Sequence, residues 1–192
     1  MRVFVAGATG FIGSAVVREL IGAGHHVLGL ARSDAAADAL ARMGVVAHRG
    51  ELSDTESLSA GARACEGVIH TAFIHDFSQY QAKAEIDRRA VEALGAALAG
   101  SERPLVITSG IGLLTPGRLG TEDDAADPAS AGAARVPSEE ATLALASRGV
   151  RASLVRLPQS VHGDGDHGFV PALINITREK GVSAYLGDGL SR

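Results

Sequence analysis

The sequence predicts an α/β protein with a Rossmann-like, doubly wound parallel sheet and helices on both faces. Three observations predict it. Apolar runs near residues 2–6, 26–30, 45–48, 67–72, 104–109 and 151–157 read as strands. Amphipathic stretches near 11–23, 34–43, 54–64, 79–99 and 137–148 alternate with them as helices. This rhythm implies βαβ units with right-handed crossovers. The strand runs lack polar–apolar alternation, as expected when both sheet faces are covered. Finally, a glycine turn, Gly7-Ala8-Thr9-Gly10-Phe11-Ile12-Gly13, joins the first strand to the first helix.

The first strand, Val3-Phe4-Val5-Ala6, enters that turn directly. Glycine has no Cβ and tolerates φ > 0, so the backbone can approach a ligand closely. The following helix offers free N–H groups and its positive dipole end to a diphosphate. Gly13, in the first helical turn, lets helix and strand pack tightly. A dinucleotide is the expected occupant, held by Gly7, Thr9, Gly10, Phe11, Ile12 and Gly13. The second strand ends Leu28-Gly29-Leu30-Ala31-Arg32-Ser33. An NAD site commonly places a carboxylate there for the ribose hydroxyls, but the position is Ala31. Arg32 carries a planar fork suited to phosphate, and Ser33 adds a hydroxyl. The expected cofactor is NADP(H), with NAD(H) the alternative and a solvated surface arginine the plainer reading of Arg32. Asp34 and Asp54 read as helix caps. Pro137-Ser138-Glu139-Glu140 reads as a helix start, with proline in the first turn and acids at the positive dipole end.

Two segments fall outside this rhythm. Residues 115–135 are rich in Gly, Ala, Pro and acid and read as a solvated loop or a lid over the substrate cleft. Residues 162–168, His-Gly-Asp-Gly-Asp-His-Gly, match no metal-ligand spacing and read as a turn. No metal is expected.

The 192 residues carry a formal net charge of −4 and no basic stripe, which argues against nucleic-acid binding. No apolar stretch approaches the ~20 residues of a membrane helix, and the N-terminus lacks a signal-peptide pattern. Cys65, the single cysteine, fits a reducing compartment, so the cytoplasm is the expected location. The expected partner is a small-molecule substrate.

Taken in order, several segments resemble the short-chain dehydrogenase/reductase superfamily, in its extended epimerase/dehydratase-like branch. Gly7 to Gly13 resembles that superfamily's fingerprint. Gly50-Glu51-Leu52-Ser53-Asp54 resembles GDLxD, and Val68-Ile69-His70-Thr71-Ala72 the fourth strand with its HxA turn. Leu105 to Gly110 resembles the serine-bearing fifth strand. Val155-Arg156-Leu157-Pro158 through Val161-His162-Gly163 resembles RPxxVYG, with His162 in place of tyrosine. The resemblance implies that Glu51 and Leu52 line the adenine. It implies that His70, Thr71, Ala72 and Phe73 pass the ribose and diphosphate, and that Pro158 and Val161 face the nicotinamide. It also implies domain limits, with a dinucleotide-binding domain over 1–160. Residues 161–192 are then the start of a small substrate-side region, from a truncated or a naturally short member. A homodimer through the long 79–99 helix and the helix after 137 is an expectation by analogy.

The same resemblance places the superfamily's catalytic Tyr and Lys on Ala131 and Arg135, so the pair is altered. Arg135 stays protonated and can hold ribose hydroxyls or a substrate anion. The catalytic serine position falls on Gly110, with Ser109 and Thr108 beside it. Histidine as a residue type can exchange a proton near neutrality, and His162 is a candidate proton donor or a structural loop histidine. Ser109, His162 and Arg135 are the catalytic candidates of an NAD(P)-dependent oxidoreductase or epimerase/dehydratase-like enzyme. The substrate would be a small carbonyl or hydroxyl compound. A non-catalytic NADP(H)-binding redox sensor or scaffold is the alternative.

Overall fold

The computed structural model describes residues 1–185 and 187–189, without the side chain of Phe77. Leu186 and residues 190–192 of the expected 161–192 region lie outside the described residues. Six parallel strands form one sheet in the order β3-β2-β1-β4-β5-β6. They are β1 (Arg2–Ala6), β2 (His26–Ala31), β3 (Val46–Arg49), β4 (Gly67–His70), β5 (Pro104–Gly110) and β6 (Arg151–Leu157). The helices between them are α1 (Phe11–Gly22), α2 (Asp34–Arg42), α3 (Thr55–Arg63), α4 (Tyr80–Leu98) and α5 (Val136–Ala144), and α6 (Phe169–Lys180) follows β6. The strand order reverses between β1 and β4, where a doubly wound sheet opens a crevice at its carboxyl edge.

Strands β1, β2 and β4 feed two cores because successive side chains point to opposite faces. Phe4, Leu28, Val68, Leu105 and Ile107 pack with α3 and α4 residues Leu58, Ala62, Val91, Leu94 and Leu98. On the opposite face Val3, Val5, Val27 and Ala31 pack against Val17 of α1 and Leu40 of α2. Caps fix the helix entries. Asp54 Oδ1 accepts from Ser57 N at 3.0 Å, as expected. At α2 the cap is Ser33, whose Oγ accepts from Ala36 N at 3.2 Å. Asp34 is therefore not the cap but the first residue of α2, because Ser33 already has the extended backbone a cap requires.

Two expectations need correction. Strand β4 ends at His70 rather than residue 72, because its partner β1 gives way to the glycine turn after Ala6; Thr71 N–H and hydroxyl still donate to Ala6 O, at 2.9 and 3.0 Å. Strands β5 and β6 do alternate in burial, unlike the inner strands; Arg151, Ser153 and Val155 of β6 are exposed. No described helix buries that face, and α6 itself has no buried residue. That helix was not anticipated within 161–192. The 115–135 loop is largely exposed, in keeping with a solvated segment, and is pinned at several points: Asp127 N donates to Leu113 O at 2.7 Å, Thr115 Oγ1 to Asp127 at 2.9 Å, and Arg118 Nη2 to Asp124 at 2.6 Å.

Candidate dinucleotide site and catalytic cleft

At the strand-order reversal the register pairs Ala6 with His70, so the next residues, Gly7 and Thr71, flank the crevice. Gly7 has φ +90°, and a Cβ there would lie 2.7 Å from both Ala72 N and Thr71 Oγ1. A Cβ on Gly13 would lie 2.0 Å from Gly7 O. Gly10 N donates to Gly7 O at 2.9 Å, which closes the turn. No side chain caps α1, so its first N–H groups are left for an anion. The residues present therefore fit a diphosphate-bearing dinucleotide. Thr9 is exposed, and Phe11 and Ile12 are half-buried at the helix start.

Arg32 and Ser33 follow β2 and are both exposed. Beside them Arg49 ends β3, with Ala31 as its strand partner, and Arg49 Nη2 pairs with Asp34 Oδ1. Leu52 is buried with the core. Glu51 is exposed and accepts from Ser53 Oγ at 2.6 Å.

The carboxyl ends of β4 and β5 carry a buried polar cluster. His70 Nε2 and Asp87 Oδ1 lie 3.0 Å apart, with both side chains almost fully buried. Arg135 Nη2 donates to Asp87 Oδ2 at 3.1 Å and to Thr108 O at 3.0 Å. Its guanidinium lies over the Phe73 ring, 4.4 Å from the centroid, a cation–π contact. Burial works to raise the Asp87 carboxyl, but the His70 hydrogen bond and the charges of His70 and Arg135 hold it below its ordinary value. His75 is pushed down, first by burial and then by Arg135. Behind this cluster Glu139 is buried and takes a forked contact from Arg156, Nε at 3.0 Å and Nη2 at 2.6 Å. Burial opposes ionisation of Glu139, but Arg156, then the Ser109 hydroxyl, outweigh it and keep the carboxyl low. Ser109 Oγ is itself buried and lacks a partner at good hydrogen-bond geometry. Arg156 Nη1 also donates to Asp124 O at 2.8 Å, tying the 115–135 loop to β6.

Arg135, Phe73, Thr71 and Ser109 thus gather at the carboxyl edge of β4 and β5. Ala72 lies behind the Gly7 turn, and Pro158 is exposed just past β6. His162 stands elsewhere: it is exposed, meets Ser160 Oγ through Nδ1 at 3.0 Å, and lines a groove of about 780 Å³ against Phe11, Ala15 and Glu19 of α1. None of the Arg135 cluster lines that groove. Asp87, Glu139 and Arg156 were missed as site residues. Asp87 was legible as a carboxylate on the apolar stripe Ala84, Val91, Leu94; its partners were not. No three His, Cys, Asp or Glu side chains gather in metal-binding range among the described residues.

A parallel sheet with this strand order, a closed glycine turn at its reversal and an uncapped helix N-terminus define a Rossmann dinucleotide-binding protein. The comparisons agree. The NAD(P)H-binding family matches residues 7–179, and the chain belongs to that family, within the short-chain dehydrogenase/reductase superfamily that includes the NAD(P)-binding epimerase/dehydratase branch. An uncharacterised protein of Schizosaccharomyces pombe is 51% identical over 193 residues, spanning 100% of this chain and 64% of that protein. Another, of Saccharomyces cerevisiae, is 46% identical over 191 residues, spanning 98% and 64%. The chain thus spans somewhat under two thirds of these relatives. Among solved structures, MoeE5 in complex with UDP-glucose and NAD is 25% identical with a TM-score of 0.72, over 98% of this chain and 65% of that one. DesIV, a dTDP-glucose 4,6-dehydratase of Streptomyces venezuelae, has a TM-score of 0.77 at 21% identity, over 98% and 66%, which is a likeness of fold. Among the described residues, no helix is long and apolar enough to cross a membrane.

Proposed function

We propose that this chain is the cofactor-binding part of an NADP(H)-dependent oxidoreductase or epimerase/dehydratase-like enzyme acting on a small carbonyl or hydroxyl compound. The observation that carries this reading is the closed glycine turn set beside an arginine anchored by a buried carboxylate. The N–H groups opening α1 hold the diphosphate. Leu52 packs on the adenine, and Arg32 meets the 2′-phosphate. The nicotinamide, when bound, supplies hydride chemistry.

The chain supplies charge placement. Asp87 and Thr108 O fix Arg135 from behind, and Phe73 supports its face. A guanidinium held in this way stabilises an oxyanion without reorganising. It does not release a proton at neutral pH. Ser109 Oγ lies buried beside the Glu139 carboxyl and, after Arg156, helps to keep it ionised.

Thermal melts with saturating NADPH and, separately, NADH test the cofactor reading. At about 100 times Kd a ligand adds roughly 2.7 kcal/mol to the folded state. A larger rise with NADPH is expected. A larger rise with NADH would reject the Arg32 assignment, and no rise with either would reject the site. For turnover, NADPH consumption against aldehydes, ketones and quinones is expected to fall at least tenfold in Arg135→Ala. Tight binding with no turnover would favour the non-catalytic sensor reading.

A further inference from the structure

We infer that Arg49, at the end of β3, is a second ligand of the NADP(H) 2′-phosphate, and that Asp34 is the placeholder it releases on binding. This rests on the NADP(H) reading above and extends it to a residue on a different strand. The β2–β3 register sets Arg49 opposite Ala31, one residue before Arg32. Two arginines therefore leave adjacent strands at the same sheet edge, beside the adenosine end of the crevice. The root of Arg49 is fixed: Ser57 Oγ donates to Arg49 O at 2.8 Å, and Gly50 N donates to Ala31 O at 3.2 Å. Its tip is not fixed to the core, for the side chain is 54% exposed and its partner Asp34 is 92% exposed.

A carboxylate one residue past Ser33 would repel an incoming phosphate if it stood alone. Pairing with Arg49 cancels that charge in the free protein. An exposed pair of this kind contributes little to stability. A phosphate dianion offers Arg49 a stronger charge-assisted, forked contact. Asp34, already in solvent, is released to water at little cost. Counting Arg32, Arg49 and Asp34, this edge carries a net +1 in the free protein. The exchange turns both arginines to the ligand.

Two roles for Arg49 must be separated: direct contact with the phosphate, and mere neutralisation of Asp34. A double-mutant cycle separates them. NADPH and NADH are titrated by calorimetry into the 192-residue chain and into Arg49→Ala, Asp34→Asn and Arg49→Ala/Asp34→Asn variants, with circular dichroism confirming the fold. Direct contact predicts about tenfold weaker NADPH binding in Arg49→Ala, with NADH unchanged. It predicts about two- to fivefold tighter NADPH binding in Asp34→Asn. With additive effects the double variant stays about two- to fivefold weaker than wild type.

Recovery of wild-type NADPH affinity in the double variant would overturn the inference, since Arg49 would then act through Asp34 alone. Equal loss of NADH affinity in Arg49→Ala would overturn it as well. A wild-type chain that binds NADH as tightly as NADPH would instead bring down the NADP(H) reading on which the inference stands. Retained NADPH preference that depends on Arg32 but not on Arg49 would remove this inference alone.

Discussion

Gly13→Ala tests the turn most directly. The added Cβ would sit 2.0 Å from Gly7 O, 2.7 Å from Gly7 C and 2.9 Å from Thr71 Oγ1. Real Cβ contacts stay at or above 3.0 Å, so α1 and the turn must separate by at least 1.0 Å. Two of those three atoms are backbone and cannot rotate away. The separation opposes the Gly10 N to Gly7 O bond and pulls on Val17, which is fully buried one helical turn later. Overpacking of this kind costs about 1–3 kcal/mol, and a weakened hydrogen bond adds about 1 kcal/mol. In a chain of this size each kcal/mol moves Tm by roughly 2–4 °C, so a fall of roughly 5–15 °C is expected. Gly22→Ala, at the other end of the same helix, is the matched control. Its Cβ meets nothing within 4 Å, and it should raise stability by about 0.4–1 kcal/mol. Ligand-free thermal melts read both variants, and calorimetric titration reads NADPH binding, expected to vanish in Gly13→Ala. A Gly13→Ala protein that melts within 1 °C of wild type, a margin far below the roughly 5 °C floor, and binds NADPH normally would refute the reasoning.

Three further outcomes are expected. The depressed Asp87 carboxyl contributes stability present above its ordinary pKa of 3.8 and lost as pH falls through its lower folded value. Asp87→Asn should therefore melt well below wild type at pH 7, and the gap should close on acidification; a gap constant from pH 7 to pH 3, a range of about four units spanning the ordinary carboxylate pKa, would contradict the assignment. Arg156→Ala removes the contact to Asp124 O and leaves Glu139 buried without its partner. It should cost about 3–5 kcal/mol and speed amide exchange in residues 121–127; unchanged exchange there would show that the loop does not depend on Arg156. Arg135→Ala should raise the His75 pKa toward its ordinary value of 6.5, since burial and the Arg135 charge both hold it down. A proton NMR titration of the His75 ring checks this, and an unmoved midpoint would remove Arg135 as a cause.

Legibility in the sequence followed locality. Strand and helix positions were readable because each depends on a short pattern, and Asp54 was readable as a cap because a cap acts within three residues. The glycine turn was readable because its glycine spacing lies within one strand-turn-helix unit, whereas the wall that Thr71 and Ala72 set against Gly7 was not. Ser33 against Asp34 was a one-residue ambiguity that the extended backbone at Ser33 decided. The Asp87–Arg135 pair was not readable, because 48 residues separate its members and only the α4 crossover brings them together. The Arg156–Glu139 pair, 17 residues apart, depends in the same way on how α5 returns to β6. The uncovered face of β5 and β6 was missed because strand composition reports what a strand tolerates, not what packs on it.

The hydrogen bond from Thr71 to Ala6 spans 65 residues and forms one wall of the glycine turn. The turn is therefore not a self-sufficient motif that matures where it is synthesised. A nascent chain that has extended only its first two strands carries Gly7 and Gly13 but lacks the threonine that closes the crevice behind them. The crevice has both of its walls only once β4 lies beside β1. Until then the bare edge of β1 is open to wrong partners, a hazard common to sheets built from distant strands.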